Sequence, residues 1–374
     1  MKGSAAPEVR CDEEARRRLD RLSSALDAHP AAFRGNPLNL LFLEAAVPIR
    51  SAVEYLRALD GPGLCEERRE YLLGDAPEWP FPVFNMKERP DPWCVSEVLF
   101  SRFDLARDLL TRQQDVGRIL YDLAAKHDPD IIVLMIVDGL SYYDLSDRED
   151  AMPCLVEGIT TTGFGYREVL GKPSVSQRLF TLGYRHQLGM TYFDTDSNDL
   201  AGDLYRVFGN SQIVRITAFQ EALGYMRTAK MSRGYVQIAA PGLDGLCHSH
   251  QDEPPVGYYL KELLERFDAI IACLKKRRRK VLACLIADHG ILWRQHIDGR
   301  TIIVGDLLPE DIRSPRYVRG SLMRDYTRVM RCAGQSYSPL RLPYLTRSLK
   351  RTEWGVHGGI SAWESIVPIV VRNA

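Results

Sequence analysis

The sequence predicts an α/β protein with a mostly parallel central sheet, preceded by a helical N-terminal segment. Three observations predict it. Seven apolar residues, Ile131 to Val137, run unbroken into Asp138-Gly139. Such a run suits a strand buried on both faces of a parallel sheet. A second run, Val281 to Ala287, ends in Asp288-His289-Gly290. From Ile131 onward, strand-like and helical stretches alternate, the pattern of a doubly covered sheet. Open α/β sheets bind ligands beyond the carboxyl ends of their strands. The two runs therefore deliver an aspartate and an Asp-His pair to one edge.

The 374 residues, 45% hydrophobic, suffice for a sizeable core and suggest about two domains. Positive and negative side chains balance at 49 each, so no global basic field argues for nucleic acid. The eight cysteines, Cys11, Cys65, Cys94, Cys154, Cys247, Cys273, Cys284 and Cys332, are scattered without a CxxC pair. They read as reduced thiols of a cytoplasmic protein. No signal core and no stretch of ~20 apolar residues indicates a membrane.

Residues 1–127 read as a helical domain. Leu19, Leu22 and Leu26 recur at helical spacing. Leu38 to Leu56 reads as one or two buried helices with Pro48 as kink or break, and Val95 to Lys126 as a further helix. Residues 128–374 hold the sheet. Gly158 to Phe164, GITTTGF, is β-branched and predicts a strand; Pro173 to Leu182 opens a helix. Gln212 to Thr217 and Tyr235 to Ala240 are further strands. An amphipathic helix follows Pro254-Pro255 and ends in KKRRRK, Lys275 to Lys280. Cations at a helix C-terminus offset its dipole, so the run reads as a solvated helix end, with a nucleic-acid patch as the alternative. Residues 293–356 read as an irregular insertion or lid over the sheet edge. The chain closes with a His-Gly-Gly turn leading to an apolar strand.

Candidate ligands occur in the order Asp138, Ser176, Asp244, His248, Asp288, His289 and His357. Asp244 and His248 are four apart after a strand. His357 precedes two glycines, which let backbone approach a site closely. Carboxylates, imidazoles and a hydroxyl suit two divalent ions, Zn2+ or Mn2+, clamping a phosphoryl displacement. Ser176, at a helix start, fits the nucleophile, with Ser174 as the alternative. His186, His250 and His296 fit no position in this set.

The ordered set resembles the alkaline phosphatase superfamily: an Asp after the first strand, a Ser or Thr at a helix start, D-x-x-x-H, D-H-G and a late His. The resemblance implies a three-layer sandwich. It assigns Asp138, Ser176, Asp288 and His289 to one metal and Asp244, His248 and His357 to the other. Within that superfamily, VDGLSYYDL, PSVSQRLFTLGYR and HGGISAWESIVP resemble the PglZ domain of BREX-type phage-defence systems. The likeness covers Pro129 to Ala374 and is most specific in the closing HGG with Glu364 and Pro368.

The function this implies is a two-metal phosphodiesterase acting on a nucleotide or oligonucleotide. Lys172, Arg178, Arg185 and Arg294 are candidate phosphate contacts. The alternatives are a phosphomonoesterase or phosphotransferase on a small metabolite, and a weakly active defence-complex component. The helical N-terminal domain would then dock protein partners.

Overall fold

A computed structural model describes the short strands β1 (Leu40–Phe42) and β2 (Val83–Asn85), Arg89, and residues 91–191 and 212–374. Short gaps fall at 102, 104–105, 108–109, 146–147, 149, 216–218, 229–231, 250, 277–278, 306, 308–311 and 333. Two units are present, Met1–Thr111 and Arg112–Ala374.

In the N-terminal unit, β1 and β2 pair antiparallel, with Leu40 opposite Asn85. Within Leu38 to Leu56, residues Leu40–Phe42 are thus strand rather than helix: pairing overrides leucine's helical preference. The other helices expected before residue 83 lie outside the described residues. The helix expected from Val95 to Lys126 is not continuous: the described residues include α1 (Pro92–Ser101) and, after a break, α2 (Val116–His127). Strand β3 (Thr111–Arg112) and a 3-10 turn at Gln113–Asp115 separate them. The Asp115 carboxylate accepts the Arg112 N–H at 3.1 Å, and the Gln113 side chain turns inward onto main-chain carbonyls. These bonds break the helical period. Helix α2 consequently belongs to the C-terminal unit, and the boundary precedes the expected one at 127/128.

The C-terminal unit is built on an eight-stranded sheet. In chain order its remaining strands are β4 (Ile131–Asp138), β5 (Ala151–Leu155), β6 (His186–Thr191), β7 (Gln212–Arg215), β8 (Gly234–Pro241), β9 (Val281–Ala287) and β18 (Ile366–Asn373). Their spatial order is β3-β5-β18-β9-β4-β8-β6-β7. Strands β9, β4, β8, β6 and β7 are parallel, and β18 runs antiparallel to both of its neighbours. The seven residues Ile131 to Val137 and all seven of β9 are buried, so both faces of the sheet are covered. Helices α2, α3 (Thr162–Leu170) and α4 (Val175–Thr181) pack together. Helix α5 (Phe219–Thr228) packs on α7 (Val256–Lys275), while the short α6 (Asp244–Ser249) follows β8. Strand β9 touches α2 of the first group and α7 of the second. Helix α7 buries Leu263, Phe267, Ile270, Ile271 and Leu274 along one stripe. Each fully buried side chain of this kind contributes ~1.5–3 kcal/mol.

Two expectations change. GITTTGF is not a strand: Thr162 opens α3. A Cβ on Gly165 would fall 1.9 Å from the Asp288 carbonyl oxygen. Glycine there lets the first turn of α3 lie on the end of β9, and that packing outweighs the β preference of the threonines. Residues 293–356 are also more ordered than an irregular lid. They contain β10 (Leu292–Trp293), α8 (Arg294–Ile297), β11 (Ile302–Ile303), β12 (Ile312–Ser314), β13 (Tyr317–Arg319), β14 (Met330–Cys332), β15 (Gln335–Pro339), β16 (Tyr344–Leu345) and β17 (Gly355–Val356). Strands β12, β13, β15 and β14 form a small sheet with its own core of Val318, Tyr326 and Leu340.

Candidate functional site

Six of the seven expected ligands meet at the carboxyl edge of the large sheet. Asp138 ends β4, Asp288 and His289 follow β9, and Asp244 and His248 lie on α6. His357 follows β17. Two groups of ligand atoms lie within 4.8 Å of one another: Asp138, Asp288 and His289, and Asp244, His289 and His357. His289 joins them, and its ring stacks on that of His357 at 4.2 Å. His248 Nε2 is 3.4 Å from Asp244 Oδ1.

The donors fit divalent cations. His357 Nδ1 donates to the Thr160 carbonyl at 2.8 Å, and His289 Nδ1 to the Gly290 carbonyl at 3.1 Å. A carbonyl only accepts, so both Nδ1 atoms carry hydrogen. Burial, and then the neighbouring His289, hold His357 down to about 4, so its ring is neutral. Its bare Nε2 therefore faces Asp244 Oδ1 at 3.3 Å, a buried oxygen without a hydrogen bond. Asp288 Oδ1 accepts the N–H groups of Gly139 and His289, while its buried Oδ2 has no hydrogen-bond partner and lies 3.8 Å from His289 Nε2. Lone pairs aimed at lone pairs repel unless a cation lies between them. Main-chain carbonyls that fix the far nitrogen are the usual outer partners of metal-binding imidazoles.

The charges point the same way. Burial, then the Asp288 and Asp244 carboxylates, push Asp138 well above the usual range. Burial also pushes Asp288 well up. Burial acts upward on Asp244 too, but the adjacent His248 leads the influences that hold that carboxyl below its ordinary value. Three carboxylates crowded together, Asp288 fully buried and Asp138 and Asp244 largely so, need positive charge.

The hydroxyl at this cluster is Thr162, not Ser176. Thr162 Oγ1 lies 3.2 Å from Asp138 Oδ1 and 3.2 Å from His289 Nε2, at the first residue of α3. Ser176 is at the other end of the sheet. Its hydroxyl bonds the Gln187 side chain. Gln187 is opposite Tyr235, and Tyr235 opposite Ile132. Asp138 is six residues farther along β4, about 20 Å at the rise of a strand. Ser174 caps α4, accepting the Gln177 N–H at 3.2 Å, and is no nearer in the fold.

The expected phosphate contacts are also dispersed. Arg185 immediately precedes β6 at the amino edge, and Arg178 Nε donates to the Pro173 carbonyl. Exposed Lys172 follows the far end of α3. Arg294 spends its guanidinium on the Glu353 and Lys350 carbonyls and stacks over Trp354. Sequence reasoning missed the wall of the site. A cavity of about 400 Å3 borders Asp138 and Asp244 and is closed by Tyr259, Glu262, Leu263 and Arg266 of α7. Their helical spacing was visible; only the fold shows that this part of α7 borders the candidate ligands Asp138 and Asp244.

No protein-family model and no curated protein matches the chain. Among solved structures, murine ectonucleotide pyrophosphatase/phosphodiesterase 5 is similar at 11% identity and a TM-score of 0.42, over 65% of this chain and 88% of that one. The human protein of the same name is similar at 10% identity and a TM-score of 0.43, over 64% and 87%. The lipooligosaccharide phosphoethanolamine transferase of Neisseria meningitidis is similar at 10% identity and 0.33, over 74% and 58%. Likeness at this level assigns the chain neither a family nor an activity.

Proposed function

We propose that the protein is a two-metal phosphoric ester hydrolase, with phosphodiesters as substrates and Thr162 as nucleophile. One observation carries this reading. The Thr162 hydroxyl touches a carboxylate and an imidazole of a crowded donor set whose lone pairs face one another. Asp138, Asp288 and His289 would hold one divalent ion, and Asp244, His248 and His357 the other. Bound there, the ions would favour the Thr162 alkoxide and offset phosphate charge.

The remaining steps belong to the chain. The N–H groups of Thr162 and Gly163, ahead of the first helical bond that Phe164 N–H makes to the Thr161 carbonyl, suit a non-bridging phosphate oxygen. Thr162 Oγ1, its proton lost to solvent, forms the new bond to phosphorus as the ester bond to the leaving group breaks and the departing oxygen takes up a proton. Water then attacks phosphorus, the Oγ1–P bond breaks, Oγ1 regains a proton, and the phosphate monoester leaves. The cavity walled by Tyr259 and Arg266 takes the leaving group. Among the described residues Arg266 is the sole cation lining that cavity, and it is paired with Glu262. A dianionic monoester would call for more positive charge, so the lining favours a monoanionic diester.

The closing HGGISAWESIVP motif, with His357 at the donor set, supports placing this activity with PglZ-type phage-defence proteins and a nucleotide or oligonucleotide substrate. The test compares bis-p-nitrophenyl phosphate with p-nitrophenyl phosphate in Zn2+ and in Mn2+, with and without chelator. The proposal expects chelator-sensitive hydrolysis, faster on the diester. Hydrolysis indifferent to chelator would overturn the metal reading, and a faster monoester rate would overturn the diester assignment.

A further inference from the structure

Arg316 and Glu364 form an ion pair with both side chains fully buried, Nη2 to Oε2 at 2.8 Å. Neither touches a candidate ligand atom. Taking both charges out of water is costly, and two apolar side chains of similar volume would hold the fold at least as well. Stability alone therefore does not account for the pair, whereas the destination of its hydrogen bonds does.

Glu364 Oε1 accepts the Gly359 N–H at 2.8 Å, two residues beyond His357. Its Oε2 accepts the Ser361 hydroxyl at 2.7 Å. The Glu364 carbonyl accepts the Gly290 N–H at 2.9 Å, immediately after His289. The Glu364 side chain thus holds the turn after His357, while the loop after His289 meets only its main-chain carbonyl, which a side-chain substitution keeps. Arg316 approaches from the small sheet, between β12 and β13, and donates to the carbonyls of Leu340, Arg341 and Tyr344. A Cβ on Gly359 would lie 2.4 Å from Arg316 Nη2, so the guanidinium lies against the turn itself. From the same side the Ser314 hydroxyl donates to the His357 carbonyl at 3.1 Å. Across the turn Thr160 Oγ1 accepts the Gly358 N–H at 2.8 Å.

We infer that Arg316 and Glu364 are positioning residues for the second ion: through the His357-Gly358-Gly359 turn they set the affinity of the Asp244–His248–His357 donors, and the small sheet of residues 312–339 is a buttress for that half of the site rather than a lid. This rests on the two-metal reading above. Outer partners of metal ligands are worth 10–100-fold in affinity when removed. The Asp138–Asp288–His289 half is held instead by Gly139, by the His289 backbone and by Gln113, which donates to the Asp288 carbonyl at 2.6 Å. It is the internal control.

The experiment titrates the full chain with Zn2+ against a chromogenic chelator. The double variant Arg316→Met/Glu364→Leu leaves no orphaned charge. Wild type is expected to take up two equivalents. The double variant should keep one site at wild-type affinity and weaken the other by about 10–100-fold. Two sites of unchanged affinity, or equal weakening of both, would overturn the inference. Should the double variant not fold, Ser361→Ala, which removes one donor to Glu364, must weaken a single site severalfold; no change there would overturn it equally. A wild type that takes up no Zn2+ would sink the two-metal reading and this inference with it, an outcome distinct from two unaffected sites.

Discussion

The two edges of the large sheet each hold a hydroxyl in the α3–α4 layer, and only one is placed for chemistry. At the amino edge, Ser176 sits in a well-formed helix start with a Ser174–Gln177 capping box. Its hydroxyl is taken up by the Gln187 carboxamide. At the carboxyl edge, Thr162 starts a helix without such a signature, against the Asp138 carboxylate and the His289 imidazole of the donor cluster. A good local signal for a helix start is therefore no signal for a nucleophile. What distinguishes the positions is which end of the parallel strands the chain has reached, a property of topology.

The largest effect that bears on this contrast is loss of the nucleophile. Thr162→Ala should lower diester hydrolysis by at least ~1,000-fold. Ser176→Ala should leave it within about threefold, because no step of the reaction involves that residue. Steady-state rates on the pure variants, with circular dichroism to confirm folding, check both; the reverse ranking would exchange the roles of the two edges.

Next in size is ligand removal. Asp288→Asn leaves the volume of the side chain unchanged and removes its charge. It should weaken one of the two bound ions by ~100-fold or more while the other persists, as elemental analysis after dialysis would record.

The third effect is on pH. Asp138 and Asp288 are pushed upward, so protons compete with metal at a pH above the ordinary carboxylate range. Affinity should fall as pH falls through those raised values, by up to about tenfold per pH unit for each proton displaced. Isothermal titration between pH 5 and pH 8 measures it, and a flat profile would deny that these carboxyls are ligands.

Smaller again is the cavity wall. Tyr259→Ala or Arg266→Gln should raise KM for a nucleotide diester by about 5–20-fold with kcat little changed. Smallest are the two cations away from the site. Lys172→Ala and Arg185→Ala should stay within about twofold on every substrate.

Much of the carboxyl edge was legible in the sequence. Unbroken apolar runs identify doubly buried strands, and an Asp or Asp-His directly after such a run must emerge at the ligand-binding end. This is why Asp138, Asp288 and His289 are readable without coordinates. Asp244, His248 and His357 follow from short spacings after strands. Thr162 was hidden because three consecutive threonines favour a strand, and what reverses that preference is Gly165 lying on the Asp288 carbonyl, 123 positions away. Arg316 and Glu364 were equally hidden as a pair, 48 residues apart with no periodic relation. The small sheet was missed because its strands are only three to five residues long.

The most direct measurement is an anomalous difference map from crystals of the protein grown with Zn2+. The account predicts two peaks beside Thr162, one among Asp138, Asp288 and His289, the other among Asp244, His248 and His357. Peaks elsewhere, or none at saturating Zn2+, would contradict it.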